Sequence, residues 1–148
     1  MKKSFIRTAP ILFGIAAIVA CGSDDSTAPG ATVAGTYQAT VFTSTGSSGI
    51  TNHILAGSTL ILNLAADGTL SGHLHMVATS SNSALDADMA GTWVQSGNTV
   101  NFTQTADTFV RNITFAISAN GNLWELEGNR AFSGTDIHIK LTQVVGII

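Results

Sequence analysis

From Val33 onward the chain alternates apolar and polar residues in short runs. Gly, Asn and Asp interrupt these runs every few positions, and no stretch repeats apolar residues at helical spacing. Alternation of period two sends successive side chains to opposite faces of a strand, and turn residues this frequent leave no room for a helix of ordinary length. The pattern predicts an all-β chain of short antiparallel strands. Eight are expected, near 33–43, 58–65, 69–77, 89–95, 99–105, 109–118, 122–128 and 135–144.

The turns fix register, because a one-residue slip would send every side chain to the wrong face. At Asp67-Gly68 a two-residue turn would set Leu64 opposite Ser71 and mix the faces. A three-residue loop, Ala66-Asp67-Gly68 with Gly68 left-handed, sets Leu64 opposite Leu70 and Leu60 opposite Leu74. His73 and His75 then point outward beside Ile61 and Thr59, with only threonine, serine and isoleucine visible as outward neighbours. At Asn120-Gly121 a two-residue turn pairs Ile117 with Trp124 and Phe115 with Leu126, and leaves Glu125 and Glu127 on the polar face. A turn around Ser96-Gly97-Asn98 puts Trp93, Val100 and Phe102 on one face.

The expected core is Tyr37, Val41, Leu60, Leu62, Leu64, Leu70, Leu74, Met76, Trp93, Val100, Phe102, Ile113, Phe115, Ile117, Trp124, Leu126, Ile137, Ile139 and Leu141. Eight sequential strands of this kind close most simply into an up-and-down barrel, with a β-sandwich as the alternative. Alternate connections then gather at one end. The turns at 66–68, 96–98 and 119–122 are tight, whereas 44–57, 78–88, 106–108 and 129–134 are mostly longer. Long loops on a rigid β scaffold commonly carry a binding site.

The segment before this domain has a different character. Lys2, Lys3 and Arg7 precede the uncharged apolar run Ile11 to Ala20, which is too short to span a bilayer, for which about 20 apolar residues are needed. The tetrapeptide Ile18-Val19-Ala20-Cys21 resembles the bacterial lipobox, with Ile18 where leucine is usual. Cys21 is the single cysteine of the chain, so no disulfide is available. The resemblance implies that residues 1–20 are a signal peptide and that Cys21 is the lipidated first residue of the mature protein. It also implies a place in the bacterial cell envelope. Gly22, where an aspartate would signal inner-membrane retention, implies the outer membrane. Residues 21–32 read as the lipidated cysteine and a flexible tether, and 33–148 as the barrel domain.

Removing the signal takes three of the six basic residues. The remainder keeps Arg111, Arg130 and Lys140 against nine acidic residues, a net charge of 3 − 9 = −6. Such a balance repels phosphate backbones and argues against nucleic-acid partners.

The motifs Gly35-Thr36-Tyr37, Ala66-Asp67-Gly68-Thr69-Leu70, Gly91-Thr92-Trp93 and Gly97-Asn98-Thr99-Val100 together resemble the small lipocalin-like (calycin-type) domains of bacterial lipoproteins. The resemblance spans most of 33–144. It implies a barrel that binds a small apolar or amphipathic ligand. Classical lipocalins carry Gly-x-Trp on the first strand; here that form stands on the fourth.

No nucleophile motif such as Gly-x-Ser-x-Gly and no Gly-rich phosphate loop occurs, which points away from catalysis. His73-Leu74-His75 has a spacing that metal sites use, but solvated surface histidines are the simpler reading, and neither a metal nor another cofactor is expected. The expected ligand-binding residues are His53, Asp86, Asp88 and Asp107 at the long-loop end, with Trp93 and Tyr37 lining the interior below. The alternative is an envelope protein with a filled barrel that acts through protein or cell-wall contacts.

Overall fold

The computed structural model describes residues 32–79, 83–104 and 113–146. The segment expected to be a signal peptide, Cys21 and the expected tether up to residue 31 therefore lie outside the described residues, as do Asp107 and Arg111. Nine strands and no helix occur among the described residues: β1 (Gly35–Gly46), β2 (Gly49–Asn52), β3 (Thr59–Leu64), β4 (Thr69–Met76), β5 (Leu85–Ser96), β6 (Thr99–Gln104), β7 (Thr114–Asn120), β8 (Leu123–Phe132) and β9 (Thr135–Val144). All pairings are antiparallel. The first strand, β1, pairs with β3 on one side and β9 on the other, so eight strands close into the expected up-and-down barrel. The ninth, β2, is an addition that folds back on the far half of β1 and raises the wall there.

The turn at 66–68 has the expected three-residue form. Leu64 faces Leu70, Leu60 faces Leu74, and Gly68 has φ +86°, a conformation costly for any residue with a Cβ. Asp67 ties the loop down: its carboxylate accepts from the Thr69 amide at 2.9 Å and the Thr69 hydroxyl at 2.7 Å, and these bonds hold its pKa below the usual carboxylate value.

The hairpin between β7 and β8 differs from expectation. Its turn residues are Gly121 and Asn122, so Ile117 pairs with Leu126, and Trp124 with Ala119. This is a slip of two residues, which keeps both faces and moves Trp124 toward the barrel end, where it is only partly buried. Glu125 stays on the outer face but is covered rather than exposed, held by Lys140 at 2.8 Å and Asn120 at 3.1 Å.

The expected core forms with one exchange, Phe42 for Val41, and with Trp124 only partly buried at its edge. The β1–β9 register shifts between Ala39 and Val41, and this bulge inverts the parity of the rest of β1. Phe42 is therefore fully buried and Val41 is not. Val33, Ala39 and Met89 join the core as well. Side chains from all eight barrel strands fill the interior, among them Tyr37, Phe42, Phe102, Phe115 and Leu126, each about 1.5–3 kcal/mol of burial free energy if an aliphatic or Phe side chain is fully enclosed.

Three segments read as loops are partly strand. β1 continues to Gly46 and is answered by β2, β5 begins at Leu85, and β8 runs to Phe132. The connection after β8 is a two-residue turn, Ser133-Gly134, with φ of 53° and 76°, the pattern that matches strand twist.

A candidate ligand recess at the barrel mouth

The end of the barrel opposite the turns at 66–68, 97–98 and 121–122 holds a recess of about 520 Å³, a size in the range of small-molecule sites. Inward-facing residues at the ends of the strands form its wall: Phe42, Ser44 and Gly46 of β1, Met76 of β4, Leu85 of β5, Phe132 of β8, and Thr135 and Ile137 of β9. The floor is the packed core, so the recess is a cup rather than a channel through the barrel.

Among the described residues that line the recess, His53 is the one titratable group. It follows β2 directly, in a turn that Asn52 caps by accepting from the Leu55 amide at 3.1 Å. Its backbone is fixed on both sides, since His53 donates to the Phe42 carbonyl and accepts from the Ser58 amide, both at 2.9 Å. The ring lies 4.5 Å from the Phe42 ring, centroid to centroid, and Nε2 is 2.8 Å from the Ser44 hydroxyl. The residue is only 2% exposed, and burial holds its pKa below the ordinary histidine value, which favours the neutral ring. Nδ1 is buried and has no hydrogen-bond partner among the described residues.

The other expected site residues are placed elsewhere. Tyr37 and Trp93 close the opposite, tight-turn end. The Tyr37 hydroxyl donates to the Val33 carbonyl at 2.7 Å, and burial pushes its pKa up to about 12. Trp93 donates from Nε1 to the Ala65 carbonyl at 2.9 Å. Asp86 and Asp88 stand on β5 but on the outer wall, in register with His75 and His73. Of the expected ligand-binding residues that are described, the recess takes His53 alone; Asp107 lies outside the described residues.

On the outer wall Asp86 and Asp88 meet His73 and His75, for which the sequence suggested solvated side chains beside threonine, serine and isoleucine. His73 has both ring nitrogens against carboxylates, Nδ1 at 2.9 Å from Asp88 and Nε2 in contact with Asp86; His75 Nδ1 lies 2.9 Å from the second oxygen of Asp86. Two carboxylates facing both nitrogens favour the doubly protonated ring, so the pKa of His73 is raised, chiefly by the bond to Asp88, and that of Asp86 is lowered, chiefly by the bond to His75. Among the described residues no group of three or more His, Cys, Asp or Glu is arranged to hold a metal ion.

The sequence reading missed Phe42, Ser44, Leu85, Phe132 and Thr135 as lining residues. The inversion at the bulge hides the first two, and the others lie at strand ends or turns that were read as loop. No family model matches the chain, and no curated protein matches it in sequence.

Proposed function

We propose that this chain is a membrane-anchored bacterial lipoprotein whose barrel receives a small apolar or amphipathic ligand in its mouth and does no chemistry on it. In this reading the lipid on Cys21 holds the protein at the outer membrane. The first strand starts at the tight-turn end, so the tether leaves from that end and the recess opens away from the bilayer. The observation that carries the reading is the recess itself. It has an apolar wall of Phe42, Met76, Leu85, Phe132 and Ile137 around a buried histidine whose Nδ1 lacks a partner. A buried polar atom without a partner costs free energy, and a bound polar group recovers it.

The filled interior favours a second reading, a protein that acts through its outer surface on a partner or the cell wall. A titration with a hydrophobic dye and octan-1-ol, followed by backbone amide shifts, separates the two. Binding at the mouth moves the signals of Ser44, His53, Phe132 and Thr135. Shifts confined to 66–68, 97–98 and 121–122 would place the site at the other end, and no shift with either probe would favour the surface-acting protein.

A further inference from the structure

The rim at the tight-turn end is made of residues 33–36, 65–68, 95–98, 119–124 and 143–146, and Asp67 is the one ionisable side chain among them. Its carboxylate is already held by Thr69. Where β8 starts and β9 ends, this rim is apolar. Trp124 packs on the core but is only partly buried, Val144 is 44% exposed and Val145 is 70% exposed. Gln143 ties these residues to the start of the domain. The Trp124 amide donates to Gln143 Oε1 at 3.2 Å, and Gln143 Nε2 donates to the Ala34 carbonyl at 3.3 Å. Thr36 stands opposite Val144 across the β1–β9 ladder. The chain therefore enters the barrel one side chain away from Trp124.

Ten residues, 22–31, separate Cys21 from Thr32, the first described residue. A flexible chain of ten residues spans about 16–19 Å. The twelve-residue strands β1 and β5 run about 40 Å, or about 30 Å along the axis at the usual tilt of a barrel. A lipid on Cys21 therefore brings the tight-turn rim to the bilayer first and holds the mouth, with its own exposed Ile50 and Leu55, away from it. The composition of the rim suits that surface. Indole rings collect at the boundary between headgroups and hydrocarbon, and aliphatic neighbours add apolar area to the contact. The Asn, Gln, Ser and Thr side chains around them find partners among headgroups and water. These rim segments hold no Lys or Arg, so the contact draws on burial and not on the attraction of basic groups to anionic lipid.

We propose that the rim formed by Trp124, Val144 and Val145 is a membrane-contact surface, which rests on the bilayer that holds the anchor and sets the barrel upright with its mouth turned away. This proposal rests on the reading of Cys21 as the lipid anchor and adds to it a second contact made by the folded domain.

The test reads tryptophan emission of the full chain, purified from membranes and reconstituted in phosphatidylcholine vesicles, with flotation of the vesicles as the check on the anchor. Bromine on a lipid chain quenches an indole that touches it. Trp93→Phe leaves Trp124 as the single tryptophan. Its emission is expected to fall by about half when the lipid is brominated near the headgroup, and by less when the bromine sits at the chain end. Trp124→Phe, which reports the buried Trp93, should lose no emission. Val144→Asp combined with Val145→Asp should restore most of the Trp124 emission, since two carboxylates oppose entry. Leu55→Trp in the Trp124→Phe background puts an indole at the mouth end and should stay unquenched. Flotation with equal Trp124 emission in brominated and plain vesicles would overturn the proposal and leave the anchor standing. So would undiminished quenching in the double aspartate variant, or quenching of the indole at position 55. A chain that does not float with the vesicles would overturn both. If Trp93→Phe does not fold, the fall in wild-type emission and its absence in Trp124→Phe carry the same readout.

Discussion

Nδ1 of His73 lies 2.9 Å from a carboxylate oxygen of Asp88, its direct partner across the β4–β5 ladder. The pair is exposed, so its worth is modest and falls with salt, but its sign is clear. A histidine pKa raised above 6.5 in the folded chain contributes stability that is complete below 6.5 and is lost as pH rises through the raised value. The carboxylate side works in the other direction: Asp86, lowered from 3.8, contributes above that value and loses it as pH falls through its depressed pKa. The cluster is therefore most stabilising between those limits. His73→Gln should lower the urea midpoint more at pH 5 than at pH 9. An equal loss at both pH values would mean that the charged form of the ring is not what matters.

The bulge in β1 makes a sharp contrast between neighbours. Phe42→Ala removes a fully buried ring and should cost about 3–5 kcal/mol. Val41→Ala, on the outer face, should cost under about 1 kcal/mol. Urea denaturation of the two variants would show the reverse order if β1 kept a single parity throughout.

At the closed end, Tyr37→Phe keeps the ring and removes the hydroxyl that donates to Val33. The Val33 carbonyl then loses its donor in a buried setting, and the loss should be about 1–3 kcal/mol. A variant as stable as wild type would indicate that water replaces the hydroxyl there.

The proposed anchor has its own test. Cys21→Ala should abolish incorporation of labelled palmitate and leave the chain uncut by the lipoprotein signal peptidase. Equal labelling of wild type and variant would locate the anchor at another residue.

The fold was legible because the turns and the alternation agree. Gly68 as a left-handed residue and the Leu64–Leu70 pairing follow from the demand that leucines face leucines. The two-residue slip at Gly121-Asn122 was invisible to that argument, since an even shift changes no face. The bulge at Ala39-Thr40-Val41 has no Gly or Pro to mark it, so Val41 was placed inside where Phe42 belongs. The site was less legible than the barrel. Leu85-Asp86-Ala87-Asp88 reads as a polar loop until β4 supplies His73 and His75 as partners for its acids. Gly128-Asn129 resembles a strand end, yet β8 continues through it, and only that continuation brings Phe132 to the recess.

The closure of the barrel has a consequence in time. Thr40 and Thr142, 102 positions apart, are hydrogen-bonded at 3.1 Å across the seam where β1 meets β9. In a chain that emerges amino end first, the strand made earliest must wait for the one made last. Until β9 arrives, the product is a curled open sheet whose two outer strands, β1 and β8, each offer a row of unpaired amides and carbonyls to any passing chain. Such distant pairing slows folding and lengthens that vulnerable interval. The same seam sets the starting and finishing strands side by side, Thr36 opposite Val144. A short peptide could therefore join them and new ends be opened at Gly97-Asn98, giving a permuted chain in which that seam forms as a local hairpin.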